Sequence, residues 1–246
     1  MELYQQQVER ELQKWTRKIT RNASLSNRLA KSAQTKINSY IPEKVHEGIT
    51  TTIKQMVRGV LFGASYTVPP VDPSLSLEQR EFIIREKIEF YKKTAAAEGG
   101  VTGMGGILAG LADFPLLLGI KIKLLFDIAA LYGHPVKDFK ERLFILYIFQ
   151  LAFSSQDFRK EIFGQIQKWD ALSGQLPTDI NEFDWRSFQQ EYRDHIDLAK
   201  MAQLIPVIGA VVGVVVNYRL LMRLGETAMN CYRMRWLEEN NKLIEN

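Results

Sequence analysis

Two stretches of this chain are apolar, rich in glycine and built alike. The first runs from Gly99 to Gly133 and the second from Leu204 to Arg233. In each, two glycines stand four apart and a polar residue follows on the same side of a helix. Gly106 and Gly110 lead to Asp113; Gly209 and Gly213 lead to Asn217. Glycines at helical spacing remove side-chain bulk along one stripe, so a second helix or a bilayer-like environment can come close to the backbone. The pattern predicts two glycine-rich apolar helices packed closely in the core of a multi-helix bundle.

The rest of the chain also reads as helix. Leu3, Val8, Leu12, Trp15 and Ile19 form one apolar stripe. A second helix is expected from Ser26 to Tyr40, and a third opens at Pro42 and runs to about Gly63. Three prolines in the five residues from Pro69 to Pro73 break the pattern. Ser76 with Gln79 three residues on has the form of a capping box, and a helix to about Ala97 follows. Pro135 is expected to open a helix over 136–153. Shorter helices are expected over 157–169 and 185–201, with 173–181 as loop. A polar, fraying tail, LEENNKLIEN, ends the chain. The run VVGVVV has strand propensity, but a single strand among helices would leave its backbone groups unsatisfied. The expected class is therefore all-α. Its parts are basic N-terminal helices over 1–66, a Pro-rich linker over 67–76 and a helical core over 77–246, with 40–66 able to join that core.

Charge is distributed unevenly. Residues 1–66 carry 11 Lys/Arg against 5 Asp/Glu, a net +6, whereas the whole chain of 246 residues is only +4. Such an asymmetry suits an anionic lipid surface or an acidic partner, and equally a solvated helix face. No zinc-finger or RNP-type motif is present, so nucleic acid is not an expected partner. One cysteine, Cys231, excludes an internal disulfide and a cysteine-based zinc site, and fits a reducing compartment. The N-terminus lacks the basic tip and apolar run of a secretory signal, so the expected location is cytoplasmic.

Neither glycine-rich block is a clean membrane span. Eight large apolar residues between Gly103 and Ile120 contribute about −3 kcal/mol to insertion, and a central Asp113 costs about +3. From Leu204 to Val216 there are thirteen residues, short of the roughly 20 a span needs. Buried core helices are the preferred account; shallow insertion and a re-entrant hairpin are the alternatives.

Asp113 admits two roles. A carboxyl among Leu, Phe and Gly could transfer protons or bind a cation. Asp-Phe-Pro is also how a helix begins, with Asp as the cap. Asn217 is expected to bond across to a neighbouring helix, with Asp113 as one possible partner. Lys121 and Lys123 read as snorkelling side chains at the bundle edge, Lys123 pairing with Asp127 at i,i+4. His134 precedes Pro135 in a turn signature. His46-Glu47 begins a zinc-protease pattern, but Thr50 stands where its second histidine must be. Glu191 and His195 lack further ligands. No metal site, cofactor site, P-loop or nucleophile elbow is expected.

These blocks together resemble the EcsC family of bacteria. The resemblance rests on the paired-glycine helix, Asp113, the Ile128-Ala129-x-x-Tyr132-Gly133 end and the helix carrying Pro206, Gly209, Gly213 and Asn217. It implies a largely helical protein, often encoded beside the ATPase and membrane subunits of an ABC-type transporter. Members are sometimes labelled peptidases, but no nucleophile–base or metal set here supports that label. The expected function is a non-enzymatic accessory protein at the cytoplasmic membrane face. Its partner there would be anionic lipid or a membrane protein such as an ABC-type transporter subunit. The alternative is a hydrolase using Asp113 with Lys121 or His134.

Overall fold

A computed structural model describes residues 2–21, 43–62, 68, 70–102, 106–154, 156–177, 179–182, 184 and 210–245. Every regular element among them is a helix: α1 Glu2–Thr20, α2 Glu43–Phe62, α3 Leu77–Thr102, α4 Gly106–Leu131, α5 Phe139–Phe153, α6 Gln156–Gln167, α7 Trp169–Gln175 and α8 Ala210–Glu245, with a 3-10 turn at Ile180–Glu182. The all-α class is as expected, and the valine run lies in α8. The expected helices over 26–40 and 185–201, together with Glu191, His195, Pro206 and Gly209, lie outside the described residues.

Among the described residues the most extensive packing is between α3 and α8. They run antiparallel: Glu81 meets Arg233 at one end and Lys92 lies over the Tyr218 ring at the other. Between these points Gly225 faces Ile88. A Cβ at Gly225 would lie 2.6 Å from Ile88 Cδ1, so the glycine sets how closely the helices approach. Helix α4 packs antiparallel to α3 and also lies on α8. The two glycine-rich blocks therefore share an interface; the surroundings of Gly106, Gly110, Asp113 and Gly213 lie outside the described side chains. Helix α5 buries eleven of its fifteen residues, which makes it a core helix and not an amphipathic surface one. Helix α2 rests on α4 and α5, while α1 lies across α6 and α8, its Trp15 ring edge-on to Phe163 at 5.6 Å.

Several ends follow sequence chemistry. Ser76 and Gln79 exchange hydrogen bonds as a capping box at the start of α3. Helix α4 stops at Gly133, whose φ of 92° only glycine adopts freely. There His134 N–H bonds Ala129 O and Gly133 N–H bonds Ala130 O, the two bonds of a Schellman motif. Four expectations need correction. Asp113 does not begin a helix: α4 starts at Gly106 and runs through Pro115. The proline falls on the exposed side, and burial of Phe114, Leu117 and Leu118 offsets its missing hydrogen bond. The helix after His134-Pro135 starts at Phe139, because Asp138 caps it by accepting from Lys140 N–H at 3.0 Å. The expected helix over 157–169 is divided at Lys168 into α6 and α7. The polar tail is helical and continues α8 to Glu245. Among the described residues, no helix is long and apolar enough to cross a membrane.

Candidate functional site

Three buried carboxylates tie the helices together, and each accepts a hydrogen bond from a tyrosine. Glu81 on α3 receives Arg233 Nε at 2.8 Å and Arg233 Nη2 at 2.5 Å, a two-point ion pair. Tyr132 donates to it at 3.0 Å, Tyr4 at 2.7 Å and Arg85 at 3.1 Å. Arg233 reaches on to Glu11 of α1 at 2.9 Å. Asp127 on α4 takes Tyr91 at 2.9 Å, Lys87 at 3.2 Å and Lys123 one turn before it. Glu141 on α5 takes Tyr232 at 2.6 Å and Arg235 at 2.7 Å. Burial raises the Tyr132, Tyr232 and Tyr91 hydroxyls above their usual range, and the neighbouring carboxylates push the same way. The three phenols therefore stay protonated and donate. Through these bonds Glu81 links α3 to α8, Asp127 links α4 to α3, and Glu141 links α5 to α8.

The residues singled out from sequence are distributed over this frame. Tyr132 joins the Glu81 cluster through its hydroxyl, and Gly133 ends α4 beside Arg80, which donates to Leu131 O at 2.8 Å. Asn217 does bond across helices, but the partner seen is Lys121, whose Nζ lies 3.5 Å from its Oδ1 and 3.3 Å from Leu117 O. Lys121 is not a snorkelling edge residue. It is fully buried, and that burial lowers its ammonium to about 7. Lys123 keeps the expected pair with Asp127. His134 stacks on the Tyr232 ring at 5.1 Å; burial and then Arg235 lower it to about 3, so it is neutral although Glu141 is 3.9 Å away. The eleven residues of α4 from Lys121 to Leu131 alone span about 15 Å, so Lys121 and His134 do not form one site. The Asp113 side chain lies outside the described residues. Among those residues no group of three or more His, Cys, Asp or Glu could hold a metal ion. Burial raises the Cys231 thiol, which makes it a poor nucleophile.

Sequence reasoning passed over Glu81, Glu141 and Arg233. One signal was available: Glu81 interrupts the stripe Leu77, Ile84, Ile88, and a charge on an apolar face marks a buried pair. The identity of its partner 152 residues away carries no local signal.

The accessible chemistry lies at α1. Its apolar side, Val8, Trp15 and Ile19, is buried in the bundle. Its outer side carries Arg10, Lys14, Arg17, Lys18 and Arg21, all exposed. Between α1 and α3, floored by α8, runs a groove of about 530 Å³ bordered by Lys14 and Lys18 on one wall and by Arg85 and Lys92 on the other, with Ile88, Met222 and Met229 among its apolar lining.

Comparison with known proteins bears out the family resemblance. The family model described as the EcsC protein family matches residues 6–237. The chain is 46% identical over 226 residues to Protein EcsC of Bacillus subtilis (strain 168), covering 92% of this chain and 93% of that protein. It is 33% identical over 151 residues to the uncharacterized protein YdbA of the same organism, covering 61% of this chain and 56% of YdbA. No solved structure matches the chain. A match over nearly the whole length, through both Tyr132-Gly133 and Asn217, places the chain in the EcsC protein family.

Proposed function

We propose that the chain is a non-enzymatic accessory protein that adsorbs through α1 to the anionic cytoplasmic face of the membrane. The observation that carries this reading is the outer side of α1: five exposed cations within the twelve residues from Arg10 to Arg21, beside Glu11, which is committed to Arg233. Each cation near an anionic surface contributes about 1 kcal/mol, so five together are worth about 5 kcal/mol before screening. Val8, Trp15 and Ile19 of the same helix are used inside the protein; of its apolar stripe Leu3, 81% exposed, is left outside, too little to insert the helix. Binding is therefore electrostatic and reversible by salt. The family resemblance adds an ABC-type transporter as the protein met at that face.

Vesicle co-sedimentation tests the reading. The full chain should pellet with phosphatidylglycerol vesicles at low salt, stay in the supernatant with phosphatidylcholine vesicles, and be released as ionic strength rises past physiological. Equal recovery with both lipids would refute it. Co-purification with transporter subunits from solubilised membranes tests the partner.

A further inference from the structure

We propose that the groove between α1 and α3 binds a single-chain anionic amphiphile, its head group on Lys14 and Lys18 and its alkyl chain along Ile88, Met222 and Met229. Most of the other charges along the groove are already satisfied. Arg85 bonds Glu81, Arg233 bonds Glu81 and Glu11, and Lys92 bonds Glu89. Lys14 and Lys18 are exposed, stand one turn apart on the same face, and make no hydrogen bond or ion pair among the described residues. Two like charges at that spacing destabilise a helix, and an anion between them reverses the sign. Exposed Glu226 on α8 repels an anion, which leaves the α1 wall as the head-group end.

The floor supplies the complementary half. Met222 is a large apolar side chain 46% exposed on α8, and Met229 lies two turns further along. Thioether side chains fit themselves to an irregular alkyl chain. The floor from Met222 to Arg233 spans three turns, about 16 Å. The groove's volume is about 530 Å³. The volume falls within the range of small-ligand sites. The proposal shares Lys14 and Lys18 with surface adsorption but does not rest on it, because a monomeric amphiphile occupies the groove with no bilayer present.

Titration calorimetry on the full chain tests it with octyl phosphate below its micelle concentration, alongside inorganic phosphate and octyl glucoside. One octyl phosphate should bind per chain, inorganic phosphate should not saturate, and octyl glucoside should bind more weakly. Lys14→Gln with Lys18→Gln should weaken octyl phosphate by at least about tenfold, the loss expected for one charge-assisted contact. Met222→Trp fills the floor at an exposed position; it should abolish binding while leaving the melting temperature and vesicle adsorption unchanged. Absence of saturable octyl phosphate binding, unchanged binding in Met222→Trp, or inorganic phosphate binding as tightly would each overturn the proposal. So would a dimer in sedimentation velocity that Met222→Trp dissolves, since the groove would then belong to a second copy of the chain.

Discussion

Glu81 and Arg233 meet at two points, 2.8 and 2.5 Å, and both side chains are buried between α3 and α8. A pair of this kind contributes little against an apolar replacement, yet losing Arg233 leaves the buried Glu81 carboxylate with the half-exposed Arg85 as its remaining cation. Arg233→Met should therefore cost about 3–5 kcal/mol in urea denaturation. Adding Glu81→Gln keeps an acceptor for Tyr132 and removes that carboxylate's charge, so the double variant should recover most of that loss. A double variant no better than Arg233→Met would show that packing, not the ion pair, set the cost.

Lys121 gives stability a pH dependence above neutrality. Burial lowers its ammonium from the ordinary 10.5 to about 7. Between those values the unfolded chain holds the extra proton, so the penalty of burying Lys121 is complete below about pH 7 and is relieved as pH rises toward 10.5. Lys121→Met should stabilise the protein at pH 6 by on the order of a few kcal/mol. The gain should shrink steadily by pH 10. A gain independent of pH would mean the amine is neutral, or well solvated, throughout.

His134 acts in the acid range. Its folded value, about 3, lies below the ordinary 6.5 through burial and Arg235. The unfolded chain takes up the proton first as pH falls, so stability is lost from pH 6.5 down toward 3, at up to about 1.4 kcal/mol per pH unit. His134→Phe keeps a ring against Tyr232 and removes this component. Its melting temperature should fall less than that of the parent chain between pH 6.5 and 4.5, and parallel curves would contradict the assignment.

Gly225 and Ile88 test the close approach of α3 and α8. A methyl at Gly225 must push Ile88 aside, costing about 1–3 kcal/mol, while alanine gains about 1 kcal/mol in helix propensity. Gly225→Ala should thus be neutral to mildly destabilising in the parent chain. In an Ile88→Ala background the clash is gone, and the same change should stabilise by about 1 kcal/mol. The same sign in both backgrounds would place the contact elsewhere.

Local chemistry was readable, and distant chemistry was not. The Ser76–Gln79 box, the Lys123–Asp127 pair, the turn at Gly133 and the non-helical stretch over Pro70–Pro73 each depend on residues within a few positions of one another. The continuation of α4 through Pro115 has no local signal, because a proline marks a helix start by its own geometry. Burial of Phe114 and Leu117, which depends on the other helices, overrides that signal. Lys121 reads as an edge residue from sequence for the same reason. Its side chain is compatible with either environment, and only the placement of α8 against α4 decides between them. The groove was out of reach because its walls come from α1, α3 and α8, brought together only by folding.

The most direct measurement concerns the cations of α1. Replacing Arg10, Lys14, Arg17, Lys18 and Arg21 with Gln changes exposed positions and leaves Val8, Trp15 and Ile19 packed. In flotation with phosphatidylglycerol vesicles at low salt, the parent chain should rise with the lipid and the five-fold variant should remain at the bottom with an unchanged melting temperature. Equal flotation of the two proteins would contradict the account.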